Sequence, residues 1–256
     1  CSSDLTDAGV LPRSALLASS DSLHPSLHAL SGEAWFQAVL FAVAGAFAVG
    51  LTVGYRTRLA TAGSWLLLVS LHNRNGLVLN GGDVLLRLLL FWALFLPLAE
   101  RWSVDAERRD GWRTRVASVA TVALFVQVVL VYAVNAAFKL SGDVWLRGDG
   151  LAYVFSLGQF TVLLGDHLGA FPGLLTALDY LWLGMVFGAF LLVLLTGWWR
   201  TGLVLLFVAM HLGMLLTMRL DLFPLVSVAS LLPFLPGPFW DVALPAGEVS
   251  DVLFGD

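Results

Sequence analysis

The sequence predicts an all-α fold, a polytopic integral membrane helical bundle of about seven transmembrane helices plus one short interfacial or re-entrant segment. Composition is the first reason. Hydrophobic residues make up 59% of the 256 residues and charged residues 12%, whereas soluble domains are about half apolar and about a quarter charged. Mean hydropathy is +0.85. The second reason is arrangement: apolar runs alternate with short polar loops, and several runs approach the roughly 20 residues that cross a bilayer core. The lipid bilayer is therefore the first expected partner. A nucleic-acid partner is not expected, because the net charge is −4 and no basic run occurs. Cys1 is the single cysteine, so neither an intrachain disulfide nor a thiolate metal site is available. No metal is expected from the five histidines either, since they lack ligand spacing and His24 and His28 fall in a Pro-containing loop.

Residues 1–32 contain no run long enough to span, and "DSLHPSLHALSG" reads as a loop with one interfacial turn. The first span is 34–53, "AWFQAVLFAVAGAFAVGLTV", which has no ionisable group and ends at "GYRTR". The second is apolar only over 59–71, about 20 Å of helix against a core of about 30 Å. The "SLHNRN" that closes it either dips below the headgroups or lines a cavity. The third span, 84–99, follows "NGGD" and carries Arg87 one turn in. After the loop "ERWSVDAERRDGWRTR" comes the fourth span, 116–138, which ends at Lys139. Residues 151–165 are apolar but short, and are the interfacial or re-entrant candidate. The fifth span is 177–197, entered through Asp179. The sixth is 201–218, enclosing His211. The seventh, 222–236, is interrupted by Pro224, Pro233 and Pro236. Residues 33–239 thus form one transmembrane domain, between an N-terminal segment and an acidic tail over 240–256.

Loop cations orient such a bundle, with the richer side cytoplasmic. With alternating spans, the loops at 54–58, 100–115 and 200 hold eight of the fourteen Lys and Arg residues, and the opposite side holds five. This expects 1–32 to be extracytoplasmic and the C-terminus cytoplasmic, in the cell membrane.

The same alternation gathers unusual polar groups at one level. His72, Arg74 and Asn75 end the second span, Asp83 and Arg87 open the third, Lys139 closes the fourth, and His211 lies in the sixth. Tyr132, Asn135 and Lys139 are spaced three and four apart and share a helix face. Ionisable groups at membrane depth are costly and usually face a cavity or one another, so one cavity open toward the outer leaflet is expected. Plainer roles stand beside that one. Arginines at helix ends snorkel to the interface, Asp83 can cap the third helix, and a neighbouring helix can satisfy a buried His211. Lys139 is the only lysine beside thirteen arginines. A buried lysine can give up its proton, whereas arginine cannot.

Several stretches carry a family resemblance: "SLHNRNGLVLNGGDVLLRLLLFW", the Phe95-x-Pro97 before "WSVD", "KLSGDVWLRG", and "HLGMLLTMRLDLFPLVSVASLLPFLPGPFWD". In order and spacing they resemble the horizontally transferred transmembrane (HTTM) domain family, which shares its membrane domain with vitamin K-dependent γ-glutamyl carboxylase. The resemblance runs from Gly9 to Asp241. It implies quinol-linked base chemistry or carboxylation, with a reduced quinone of the vitamin K or menaquinone type as cofactor and a peptide or protein as substrate. Lys139, followed by Asp143, Trp145 and Gly148, resembles the lysine that deprotonates the hydroquinone. His72, Arg74, Asn75, Asp83, Asn135, Trp145 and His211 are the expected binding residues around it. The chain departs from the carboxylase in two ways. Ala99 and Glu100 stand where an Asn-His pair precedes "WSVD", and the 256 residues contain no counterpart of the large substrate-gripping domain. These departures set a second expectation beside the first: a non-catalytic quinone- or lipid-binding or transport protein. Family members usually carry a further helix before the "GVLPRS" segment, so Cys1 is expected to begin a fragment, with a processed or lipoprotein N-terminus as the alternatives.

Overall fold

The computed structural model describes residues 5–7, 9, 11–18, 25–76, 79–99, 103–105 and 118–243. Cys1, His24, Glu100, Trp102, the cation-rich stretch 106–117 and the tail from 244 lie outside the described residues. Among these residues the regular elements are helical, and an isolated β bridge pairs Thr161 with Met218. The chain divides into two compact units, Cys1–Thr121 and Val122–Asp256.

The first unit is built on α2 (Ala34–Val53), α3 (Thr57–Arg74) and α4 (Gly81–Ala93), with α3 packed against both neighbours; a short α1 (Arg13–Ala18) precedes them. The turn between α2 and α3 needs Gly54, whose φ is +68° and against which Ser103 packs so closely that a Cβ would fall 2.1 Å from the serine Cβ. The following Val104 and Asp105 donate their N–H groups to the Val53 and Gly54 carbonyls. The Asp105 carboxylate then accepts from the Arg56 and Thr57 N–H groups at 3.1 and 2.8 Å and from the Thr57 hydroxyl at 2.8 Å. A carboxylate at this position satisfies orphan N–H donors and complements the helix dipole. The "SVD" stretch is thus a brace on the N-terminus of α3.

The opposite end of α3, about 26 Å away along an 18-residue helix, grips the N-terminal segment. Arg74 is fully buried and donates to the Leu11 and Leu5 carbonyls at 2.8 and 3.0 Å. Asn73 donates to the Pro25 carbonyl. A 3-10 turn at Leu27–Ala29 docks on the same end. Its His28 N–H donates to the Ser70 hydroxyl at 3.1 Å, and the imidazole Nδ1 meets Gln37 Oε1 at 2.7 Å. Burial, reinforced by the charge of Arg74 and opposed by the Gln37 hydrogen bond, holds His28 below its ordinary pKa of 6.5. A depressed pKa means that the unfolded chain binds the proton more tightly. The contribution of His28 is therefore complete above pH 6.5 and is lost as pH falls below it. Thermal melting from about pH 7.5 to about pH 5 is expected to destabilise the wild type more than His28→Asn; equal pH slopes would remove His28 from the acid response.

The second unit contains most of α5 (Val119–Leu140), then α6 (Asp143–Leu146), α7 (Gly150–Ser156), α8 (Gly165–Leu168), α9 (Pro172–Gly188), α10 (Leu191–Leu194), α11 (Gly197–Thr217), α12 (Phe223–Leu231) and α13 (Gly237–Ala243). The chain between α7 and α8 is tied to the end of α11. Val162 and Leu164 donate to the Thr217 and Leu216 carbonyls, and Arg219 donates to the Phe160 carbonyl.

Helices occupy the stretches expected as spans, with shifted ends. Among the described residues, Ala34–Val53, Val119–Leu140 and Gly197–Thr217 are long and apolar enough to cross a membrane by length and composition. Pro172–Gly188 and Phe223–Phe234 are apolar but shorter. The second expected span does not stop at Leu71, because "HNR" continues the helix through Arg74, with Asn73 and the Arg74 guanidinium bonded to carbonyls of the N-terminal segment. The third runs over Gly81–Ala93 and not over 84–99. Asn80 and Asp83 form a capping box that starts it early. Beyond it, Phe95 and Leu96 turn to i−3 bonds ahead of Pro97, whose ring disfavours helix in the preceding residue. The fifth begins at Pro172, which suits a first helical position, so Asp179 lies two turns inside the helix and is fully buried. The 151–165 stretch holds α7 from its second residue and then irregular chain up to the start of α8.

Candidate functional site

Lys139 sits in the last turn of α5, and the segment after it folds back to meet it. Gly142 precedes α6, and Asp143 opens that single turn. The turn closes with the Arg147 N–H on the Asp143 carbonyl, the Gly148 N–H on Trp145 and the Asp149 N–H on Val144. Closure of this kind needs a left-handed residue, and Gly148 supplies it with φ +78°. The consequence is the position of Trp145. Its indole lies over Lys139, with Nζ 2.9 Å from the ring centroid. Its other neighbour is Gly150, where a methyl would fall 2.5 Å from the indole. The Gly150 N–H donates to Asp179 Oδ2 at 2.7 Å. Lysine, glycines, tryptophan and aspartate therefore form one local assembly of α5, α6, α7 and α9.

Trp182 lies three residues after Asp179 on α9, and Lys139 Nζ is 5.9 Å from its ring. Lys139 is 9% exposed. It has no hydrogen-bond or ion-pair partner among the described residues, and its polar surroundings are two indole faces and the field of Asp179. Two turns back on α5, the Tyr132 hydroxyl and His211 Nε2 of α11 share a hydrogen bond of 2.9 Å. Trp182 stands edge-on to both rings, with centroids 6.3 and 6.2 Å away. His211 Nδ1 and Asn135 Oδ1 are buried without a partner among the described residues. Unpaired buried polar atoms are rare in folded proteins and call for a reason. The arrangement offers an amine able to carry a proton, flat aromatic walls, and unused hydrogen-bonding atoms one or two turns from the amine.

Lys139, Asn135, Trp145 and His211 thus belong to the second unit, and Tyr132 and Trp182 sit with them. The importance of Trp182 was missed in the sequence. Its signal is an aromatic three residues after the acidic Asp179 in an otherwise apolar run. The other four expected site residues belong to the first unit, and two of them have structural work there. Arg74 holds the N-terminal segment. Asp83 accepts the Asn80 N–H at 2.8 Å in the capping box. Asn75 follows Arg74 and is buried. His72 is 4% exposed, and its Nδ1 is unpaired among the described residues. The network of His28, Gln37 and Ser70 was also missed, although Gln37 is conspicuous as an amide in an otherwise apolar span.

The sequence profile of one protein family, described as the HTTM domain, matches residues 23–240. No curated protein and no solved structure matches the chain. The matched stretch covers α2 through α12 together with Lys139, Trp145 and His211, which makes the chain a member of the HTTM domain family, a family of membrane proteins.

Proposed function

We propose that the second unit carries out proton transfer for a lipid-soluble reduced quinone, with Lys139 as the base, in the manner of γ-glutamyl carboxylase. The observation that carries this reading is the only lysine of the chain, held between Trp145 and Trp182 without a carboxylate in contact among the described residues. An amine removed from water can change protonation state near neutrality, and a guanidinium cannot. The site suits a planar hydroxylated ring. Indoles offer stacking surfaces, and Asn135 Oδ1 and His211 Nδ1 are free among the described residues to bond its oxygens. When bound, the quinol supplies a weakly acidic hydroxyl and reducing equivalents. Lys139 Nζ takes the hydroxyl proton and becomes the ammonium, which the two indole faces stabilise as a cation. The Tyr132–His211 pair holds the opposite wall in place.

The test is quinol-dependent incorporation of labelled CO2 into a Glu-containing peptide by the full chain in lipid nanodiscs, with vitamin K and menaquinone hydroquinones compared. Incorporation by the wild type that is lost in Lys139→Ala is the expected result. One observation favours a second reading, a quinone- or lipid-binding or transport protein without the chemistry. Ala99 is a buried methyl where the carboxylase places an Asn, followed by Glu100 in place of His. Menaquinone binding by the wild type without any incorporation would select that reading.

Orientation in the cell membrane is part of the proposal. Residues 73–82 are placed outside and 100–115 in the cytoplasm by the cation count. Support comes from α3, since its two ends carry the "SVD" brace and the Arg74 clamp. In a Cys1→Ser background, Gly76→Cys and Asp110→Cys are expected to react with an impermeant maleimide from opposite faces of sealed vesicles. Reaction from one face would end the alternation.

A further inference from the structure

A second polar feature lies in the first unit and shares no residue with the Lys139 assembly. A cleft of about 310 Å³ runs between α2, α3 and α4, the lower end of the size range of small-molecule sites. Phe41 and Leu51 line it from α2, Leu67 from α3, and Leu86 and Leu90 from α4. From Phe41 to Thr52 it follows α2 for about 16 Å. Polar groups are few. Thr52 donates back to the Ala48 carbonyl of its own helix. The Ser64 hydroxyl is buried without a partner among the described residues. His28 closes one end.

The proton on His28 can be located. Both Gln37 amide protons are committed, one to the His28 carbonyl at 2.9 Å and one to the Ser31 carbonyl at 2.7 Å. The Gln37 atom facing the imidazole is therefore the oxygen, an acceptor, so His28 Nδ1 carries the proton. In the neutral ring, Nε2 is left as an acceptor, and it has no hydrogen-bond partner among the described residues. Gln37 holds this imidazole by Nδ1 and Ser70 holds the His28 backbone N–H, at 2% exposure. An apolar channel that ends in one fixed acceptor calls for an apolar molecule with one donor at its end. An alkane leaves the acceptor unpaired, and an ionised carboxylate has no proton to donate.

We propose that this cleft binds a long-chain lipid with a hydroxyl head, its tail lying along α2 and its hydroxyl donating to His28. The binding does not depend on the chemistry assigned to Lys139. The test uses the full chain in phosphatidylcholine nanodiscs with three diazirine probes at about pH 10, where a carboxylic acid stays ionised even in a bilayer: hexadecanol, hexadecane and hexadecanoate. Peptides of α2 and α3 are mapped after photolysis. The alcohol is expected to label them about five-fold more than the alkane, as one buried hydrogen bond predicts, with the ionised acid no better than the alkane. His28→Phe should remove the preference. Ala48→Trp fills the channel on an exposed position of α2 and leaves the His28 network intact; it should abolish labelling of these peptides without loss of folding. Equal labelling by alcohol and alkane, or labelling undisturbed by Ala48→Trp, would overturn the proposal. Stronger labelling by the acid would overturn the hydroxyl assignment.

Discussion

Lys139→Arg is expected to lose quinol-dependent turnover by about 10²-fold or more, the usual worth of a positioned general base, and to be as inactive as Lys139→Ala. The geometry makes this a clean comparison. Arginine is longer than lysine, but its planar guanidinium stacks well on aromatic faces, and the two surfaces around Lys139 Nζ are the indoles of Trp145 and Trp182. The positive charge, the stacking and the field of Asp179 all survive the substitution. What disappears is an amine that can release its proton, which a guanidinium cannot do. Membrane levels and melting temperature of Lys139→Arg should therefore stay close to wild type while turnover falls. Turnover at matched membrane levels is the measurement. A fully active Lys139→Arg protein removes the base assignment and leaves Lys139 as a cation that the aromatic pair merely holds.

Gly165→Ala is expected to have the largest effect on stability, a loss on the order of 3 kcal/mol. A Cβ at this buried position would fall 2.0 Å from the Thr217 carbonyl oxygen and 3.0 Å from its carbon. Backbone cannot swing aside as a flexible side chain does. The same Thr217 oxygen accepts the Val162 N–H at 3.1 Å, and the adjacent Leu216 oxygen accepts Leu164 at 3.3 Å. Relief of the clash therefore breaks the seam that fastens the 158–165 segment to α11. Leu163 in that seam already has a φ of +47°, a conformation that bulky residues rarely adopt. The cost also reaches the site, because α11 carries His211 six residues before Thr217. Gly158→Ala is the control, since a methyl there meets nothing within 4 Å. Thermal unfolding in detergent should separate the two variants by several degrees, and equal melting would deny the close approach.

Much of the fold is legible in the sequence, because a bilayer solvent leaves few options. Backbone groups in hydrocarbon must bond within their own segment, so a long apolar run is a helix, and the run 34–53 became α2 without a residue of difference. Run ends were harder to place. They depend on local partners that composition does not reveal: the capping box at Asn80 and Asp83, Pro172 at the head of α9, and carbonyls from the N-terminal segment that let "HNR" remain helical. Polar residues were easy to notice and hard to assign. Arg74 and Lys139 both look like charges at helix ends. Arg74 meets two backbone carbonyls and becomes a clamp, whereas Lys139 meets two indoles and keeps its chemistry open.

The sequence alone determined the solvent in which this chain folds, its helical class, its family and the singularity of Lys139, because each depends on composition or on motifs that are local in the chain. The tertiary structure decided which polar residues hold the fold together and which stay uncommitted. Trp182 joining Lys139 to the Tyr132–His211 pair, Asp179 reaching Gly150, Asp105 bracing α3 and Arg74 gripping the Leu5 and Leu11 carbonyls are contacts between residues far apart in the chain. The physical reason is that hydrogen bonds and ring contacts act over a few ångströms. Which atoms come that close is set by how the helices pack, and helices of nearly uniform apolar composition leave that choice unwritten until the chain has folded.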